Sequence, residues 1–195
     1  MAARVTRPSR CRRRHEPTGS ARKEPMASRG TLRILGVDPS LACTGYGVID
    51  VAGTHVAVCE AGVIRTSSEL PLARRIEQIY RCGAELFDRF HPDVMAIEQV
   101  HSAYRHPRTA ILMAHARGAM LLCAAQHDVP VEGYSPTRVK KSLAGAGRAT
   151  KRQIQRVVQQ ELGLAHVPEP DDVADALAVA LCHRYAQATS RLLKG

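Results

Sequence analysis

Four carboxylates in this sequence occupy positions where an acid needs a reason. Asp38 closes the apolar run Ile34-Leu35-Gly36-Val37, immediately before Pro39, and Glu98 closes Val94-Met95-Ala96-Ile97. Runs this short and apolar, edged by Gly and Pro, read as strands buried on both faces. An ionised carboxylate at the end of such a strand borders low-dielectric surroundings and is costly unless a cation or hydrogen-bond donors compensate it. Asp before Pro also begins ordinary turns, so Asp38 taken alone has that second reading. The remaining pair lies in DDVADALAVALCH, Asp171 to His183, where Asp172 and Asp175 are three residues apart. That spacing puts both on one side of a helix's first turn. Acids also suit helix N-termini, and Asp171 reads as an N-cap, but capping and dipole effects fade beyond the first turn and explain Asp175 less well.

Two strand-end acids and a helical acid pair form the ligand set of a two-metal phosphodiesterase. Such a site holds two divalent cations about 3.5–4 Å apart, which activate water and stabilise the leaving oxygen. Hard oxygen ligands select Mg2+, with Mn2+ able to substitute. The cations would also remove the burial problem at Asp38.

The basic residues fit a phosphate-bearing substrate. From Gly133 to Gln160 there is no acid, whereas Arg138, Lys140, Lys141, Arg148, Lys151, Arg152 and Arg156 are all cationic. Gln99 to His127 also lacks acid and carries Arg105, Arg108 and Arg117. A charge run is often only a solvated face. Placed around an acid cluster it gains meaning, because a phosphate backbone needs flanking cations.

The elements that must position these groups follow from periodicity. Three strands, 33–38, 45–51 and 55–65, form an antiparallel meander. Residues 70–90 switch to helical period, with Leu72, Ile76, Ile79, Tyr80, Gly83, Phe87 and Phe90 on one face. A fourth strand spans 94–97, a helix about 107–127, a fifth strand 129–134, and two further helices about 150–162 and 171–188. The sequence therefore predicts an α/β fold with a five-stranded mixed sheet, its first three strands antiparallel, flanked by helices. The stretch AHARGAMLLCAA is small and apolar on nearly all sides, so its helix is either fully buried or packed closely on a partner.

Of the 28 Lys and Arg in the 195 residues, nine lie in residues 1–30 beside two acids, Glu16 and Glu24, leaving the rest of the chain mildly basic. Residues 1–30 are rich in Arg, Pro, Ser and Gly without apolar periodicity and read as a disordered basic N-terminal extension. Such a segment suits nucleic-acid binding or organelle targeting; the favoured reading is that it precedes a true start at Met26. Residues 31–190 then form one domain. The six cysteines show no CxxC pairing and mostly sit in apolar stretches, as expected of buried thiols in a reducing compartment. No apolar segment is long enough to span a bilayer and no secretory signal is evident, so the expectation is a soluble intracellular protein.

The motifs ILGVDPS…TGYGVI, DVMAIEQV, ARGAM and DDVADALAVALCH, in this order, resemble the RuvC Holliday junction resolvases of the RNase H-like fold. The resemblance covers roughly Leu32 to His183. It implies a magnesium-dependent endonuclease, with two cations per site, that binds four-way DNA junctions as a homodimer. Such an enzyme nicks two like-polarity strands symmetrically, leaves 5′-phosphate ends, and works with the RuvA–RuvB branch-migration complex in the bacterial cytoplasm. Its four carboxylates fall on Asp38, Glu98, Asp172 and Asp175, and its DNA-approaching lysines on Lys140 and Lys151. Lys141, Arg152 and Arg105 join these as DNA contacts, and Ala116, Gly118 and Ala119 fall on the dimer helix. Two departures stand out. Ser40 follows Asp-Pro where relatives often have Gly, and His101 occupies the usual position of a base-stacking aromatic, with Tyr104 as the alternative stacker.

Two other classes compete. An actin-like or sugar-kinase ATPase also uses Asp at a strand end, but needs a duplicated fold for which 195 residues are too few. A non-catalytic junction-binding protein would gain by losing the four acids, which are all present.

Overall fold

Alternation of side chains along two central strands divides the molecule into two cores. A computed structural model of the chain describes residues 30–100 and 107–192. Its elements are β1 (Leu32–Asp38), β2 (Cys43–Ala52), β3 (His55–Arg65), α1 (Leu72–Phe90), β4 (Val94–Glu98), α2 (Pro107–Gln126), β5 (Val131–Tyr134), α3 (Pro136–Ala144), α4 (Lys151–Glu161) and α5 (Asp171–Leu192). The sheet order is β3-β2-β1-β4-β5. β1, β2 and β3 pair antiparallel, and β4 runs parallel to both β1 and β5. The expected mixed sheet with its antiparallel start is therefore what forms.

On one face, Ile34 of β1 and Val94 and Ala96 of β4 pack with Leu177 and Leu181 of α5. On the other, Leu35, Val37, Met95 and Ile97 pack with Ile79 and Phe87 of α1 and with Met120 and Cys123 of α2. A strand's period of two sends Gly36 and Asp38 to the α5 side. There the glycines clear a track. A Cβ at Gly36 would collide with the Ala176 carbonyl, and one at Gly47 would lie 2.5 Å from Leu177 Cδ2. The antiparallel register pairs Gly36 with Gly47, so the track crosses both strands and brings the α5 backbone down onto the sheet.

Several expectations change. α3 was not anticipated: its only buried residue is Val139, so apolar period does not mark it. It is held by its ends instead. Ser135 Oγ accepts from the Arg138 N–H at 3.2 Å, Pro136 begins the first turn, and Gly145 closes the helix at φ +70. Those Ser-Pro and Gly signals were legible. Leu72 is 41% exposed rather than part of the α1 core stripe, because it lies in the helix's first turn beyond the reach of the sheet. Cys123 and Cys182 are buried, Cys43 is half-buried, and Cys59 is exposed on β3, so the thiols are not uniformly interior.

Ala116 and Ala119 also change role. Both are buried within the chain, in the core between α2, α1 and the sheet, and are not available as a dimer surface. Gly118 points the other way, and a Cβ there would meet nothing within 4 Å. The exposed face of α2 carries Gly118 with Ala114, Ile111 (58% exposed) and Leu122 (51% exposed).

Candidate active site

The C-terminal ends of β1 and β4 hold the first two acids. These strands are parallel and in register, with Val37 beside Ile97, so Asp38 and Glu98 stand on neighbouring strand ends. They follow Gly36 and Ala96 by two residues and share the face that α5 covers. α5 begins over this edge. Gly45, the cross-strand partner of Asp38, lies under the Asp172 backbone, where a Cβ would sit 2.6 Å from the carbonyl carbon. The third and fourth acids are thus brought to the first two by a glycine contact.

Charge behaves accordingly. Burial, and then the like charges of Asp175 and Asp172, push the Asp38 carboxyl up to about 7, with Lys151 pulling the other way. Burial, followed by Asp38 and Asp175, pushes Glu98 up to about 8 against Lys140 and Lys151. Asp175 is raised by burial despite its hydrogen bond from Lys151. Negative charge is concentrated here faster than the protein's own cations neutralise it.

Lys151 is the principal countercharge. Its Nζ lies 2.9 Å from Asp175 Oδ2 and 3.2 Å from Asp171 Oδ2. Burial works to lower its pKa, and the bonds to Asp175 and Asp171 outweigh that and hold it above its ordinary value. Asp171 is no N-cap: it is already helical, and its carboxylate accepts from Lys151 and, at 2.8 Å, from Gln155 Nε2. Its side chain is drawn sideways to α4, tying α4 to α5. On the other flank, the Cys43 thiol donates to Asp172 Oδ2 at 3.3 Å. Cys43 and Gln155 were not anticipated at this site, since neither carries a sequence signal for it.

A cleft of 210 Å³ opens beside the acids, with Glu98, Asp175, Lys140 and Lys151 around an apolar floor that includes Val139 and Ile154. Lys141 and Arg152 are exposed on α3 and α4. His101, Tyr104 and Arg105 lie outside the described residues. Among the described residues, no three acid, imidazole or thiol groups are drawn to the spacing of a metal cage. The four carboxylates share one end of the sheet, with Lys151 bonded to Asp175 among them.

The family model of crossover junction endodeoxyribonuclease RuvC matches residues 34–183, the stretch that contains all four acids and both lysines. The Rhodopirellula baltica crossover junction endodeoxyribonuclease RuvC is 51% identical over 152 residues, covering 78% of this chain and 85% of that relative.

The chain belongs to the RuvC family.

The RuvC of Pelotomaculum thermopropionicum is 45% identical over 161 residues, covering 83% of this chain and 98% of that protein. Among solved structures, T. thermophilus RuvC in complex with a Holliday junction substrate superposes with a TM-score of 0.77 at 34% identity, covering 82% of this chain and 96% of that one. The RuvC assignment makes the chain an endodeoxyribonuclease, which removes the ATPase reading. Among the described residues, no helix is long and apolar enough to cross a membrane.

Proposed function

We propose that this chain resolves four-way DNA junctions by metal-assisted phosphodiester hydrolysis, with Asp38, Glu98, Asp172 and Asp175 as its metal ligands. One observation carries the reading: two half-buried strand-end carboxylates face the acid-bearing turn of α5, at the mouth of a cleft lined by Lys140 and Lys151. The all-oxygen donor set and its excess of negative charge fit hard divalent cations, Mg2+ first and Mn2+ as a substitute. Bound there, such cations supply Lewis-acid activation of water and charge neutralisation at the leaving oxygen.

The protein's own groups do the rest. Glycines 36, 45 and 47 set the height of α5, and Lys151 holds Asp175 while the site is short of positive charge. Lys140 and Lys151 then contact the DNA backbone, with Lys141 and Arg152 further out and His101, Tyr104 and Arg105 at the junction centre. The exposed stripe of α2 (Ile111, Ala114, Gly118 and Leu122) pairs two copies, so that two sites cut symmetrically. The work is done in the bacterial cytoplasm with the RuvA–RuvB complex, and residues 1–30 are a dispensable extension of a nuclease domain at 31–190.

The test is a synthetic four-way junction incubated with the protein and Mg2+, beside a chelated control and a linear duplex of the same sequence. Paired nicks with 5′-phosphate ends are expected on the junction and not on the duplex, with Mg2+ or Mn2+ and not with chelator. Binding without cutting in both Mg2+ and Mn2+ would leave a junction-binding protein instead.

A further inference from the structure

The end of the sheet that carries the acids has a cation on each side of them. In the order β3-β2-β1-β4-β5, the central strands β1 and β4 stop at Asp38 and Glu98. On one side, β5 leads into α3, which carries Lys140. On the other, the edge strand β3 stops at Arg65.

Side-chain direction puts Arg65 on the same face as the acids. Opposed residues of an antiparallel pair share a face of the sheet. Arg65 is opposed to Cys43, whose thiol donates to Asp172 Oδ2 on the α5 side. Arg65 therefore projects on the α5 side too. Burial and then the bond to Asp172 push the Cys43 thiol up, and the Arg65 charge opposes them, so the guanidinium is within electrostatic reach of that bond.

The root of the residue is fixed and its head is exposed. Gln78 Nε2 donates to the Arg65 carbonyl at 2.9 Å, and the next residue, Thr66, donates its N–H to the Ala42 carbonyl at 3.1 Å. α2 packs on the other face of the sheet, so a second copy on its outer stripe leaves Arg65 accessible. A planar guanidinium with its fork of donors matches a phosphate. Two strand spacings separate β3 from β1, roughly 10 Å. That is about three nucleotides of rise along one DNA strand. A strand laid across this end of the sheet, its scissile phosphate over Asp38 and Glu98, reaches Lys140 on one side and Arg65 on the other. We propose that Arg65 binds a backbone phosphate of the cut strand, within about three nucleotides of the scissile phosphate and on the opposite side of it from the Lys140 contact. The proposal rests on the junction-nuclease reading above.

The experiment is a junction gel-shift in chelator across a salt series, with wild-type, Arg65→Gln, Arg65→Lys and Lys140→Ala proteins. It is repeated on junctions in which each phosphate around the cut is replaced in turn by a neutral methylphosphonate. Arg65→Gln should lower the slope of log affinity against log salt by about 0.9, the loss of one phosphate contact. Arg65→Lys keeps the charge and should retain most of the slope. Neutral linkages should weaken wild-type binding on both sides of the cut. One of those positions should lose its effect in Arg65→Gln, and one on the opposite side in Lys140→Ala. An unchanged slope for Arg65→Gln overturns the proposal; with a fall in Mg2+-dependent cleavage it would make Arg65 an electrostatic neighbour of Asp172 only. A silenced position on the Lys140 side overturns it as well. Should Arg65→Gln fail to fold, the wild-type scan decides: sensitivity confined to the side silenced in Lys140→Ala would sink the proposal. Failure of the wild type to bind the junction would defeat the underlying reading, whereas a normal wild type and a responsive Lys140→Ala confine any failure to Arg65.

Discussion

Gly45 of β2 lies directly beneath Asp172 of α5, so close that any Cβ at position 45 would fall within 2.6 Å of the Asp172 carbonyl carbon and closer still to its oxygen. The contact joins residues far apart in sequence and sets where two of the four acids stand relative to Asp38. Gly45→Ala should therefore lift the first turn of α5. Overpacking of this kind costs about 1–3 kcal/mol, which for a domain this size is a fall in melting temperature of roughly 2–12 °C. Cleavage should fall further than stability does, because the acid pair moves with the turn. Full activity in a variant that melts normally would show that α5 is not positioned by this contact.

Asp175→Asn separates binding from chemistry. The substitution keeps the side chain's shape and removes one negative ligand, leaving Lys151 with Asp171 at 3.2 Å. Cleavage should fall by more than about 100-fold, the upper range seen for groups that merely support a ligand. Junction affinity should persist or rise, since a phosphate then meets one carboxylate fewer. A gel-shift beside a Mg2+-started cleavage assay reads both. A folded variant that neither binds nor cuts would make Asp175 a structural residue.

The raised acids give the metal-free protein a characteristic pH dependence. Asp38 titrates at about 7 and Glu98 at about 8 in the folded state, against roughly 4 for free carboxylates. Between those values the folded chain binds more protons than the unfolded chain, so stability falls as pH rises through the window and levels off above pH 8. Asp38→Asn removes part of that cost. In chelator it should melt higher than wild type above pH 8, and the difference should shrink towards pH 4. Parallel melting curves at both ends would contradict the burial of Asp38. Added Mg2+ should flatten the wild-type slope, because the cation takes over the neutralising role.

Gly118 and Ala119 are neighbours with opposite surroundings, and glutamate substitutions should separate them. Gly118→Glu places a charge on the exposed stripe with open space around it and should yield folded monomers on gel filtration. Paired nicking should decline with the dimer. Ala119→Glu buries a charge in the α1–α2 core, where Ala119 is only 6% exposed, and should unfold the protein. A Gly118→Glu protein that remains dimeric would place the subunit contact elsewhere.

The local sequence determined a good deal. Short continuous apolar runs edged by Gly or Pro marked β1 and β4, and with them the carboxylates Asp38 and Glu98 at their ends. Helical phase alone put Asp172 and Asp175 on one side of α5. These features depend on neighbours in the chain, and the tertiary structure keeps them. Where residues lack such local contrast, only packing decided. The α2 stretch is small and apolar on nearly all sides, so its period does not mark which alanines face inward; Met120 and Cys123 against Gly83 settle that, turning Ala116 and Ala119 into core and leaving Gly118 outside. Asp171 has the sequence of a cap, but α4 brings Lys151 and Gln155 within reach of its carboxylate. The glycine track under α5 is likewise a product of segments far apart in the chain. Local sequence encodes the period of an element and the chemistry it carries; which side chains meet across elements is set by how those elements pack.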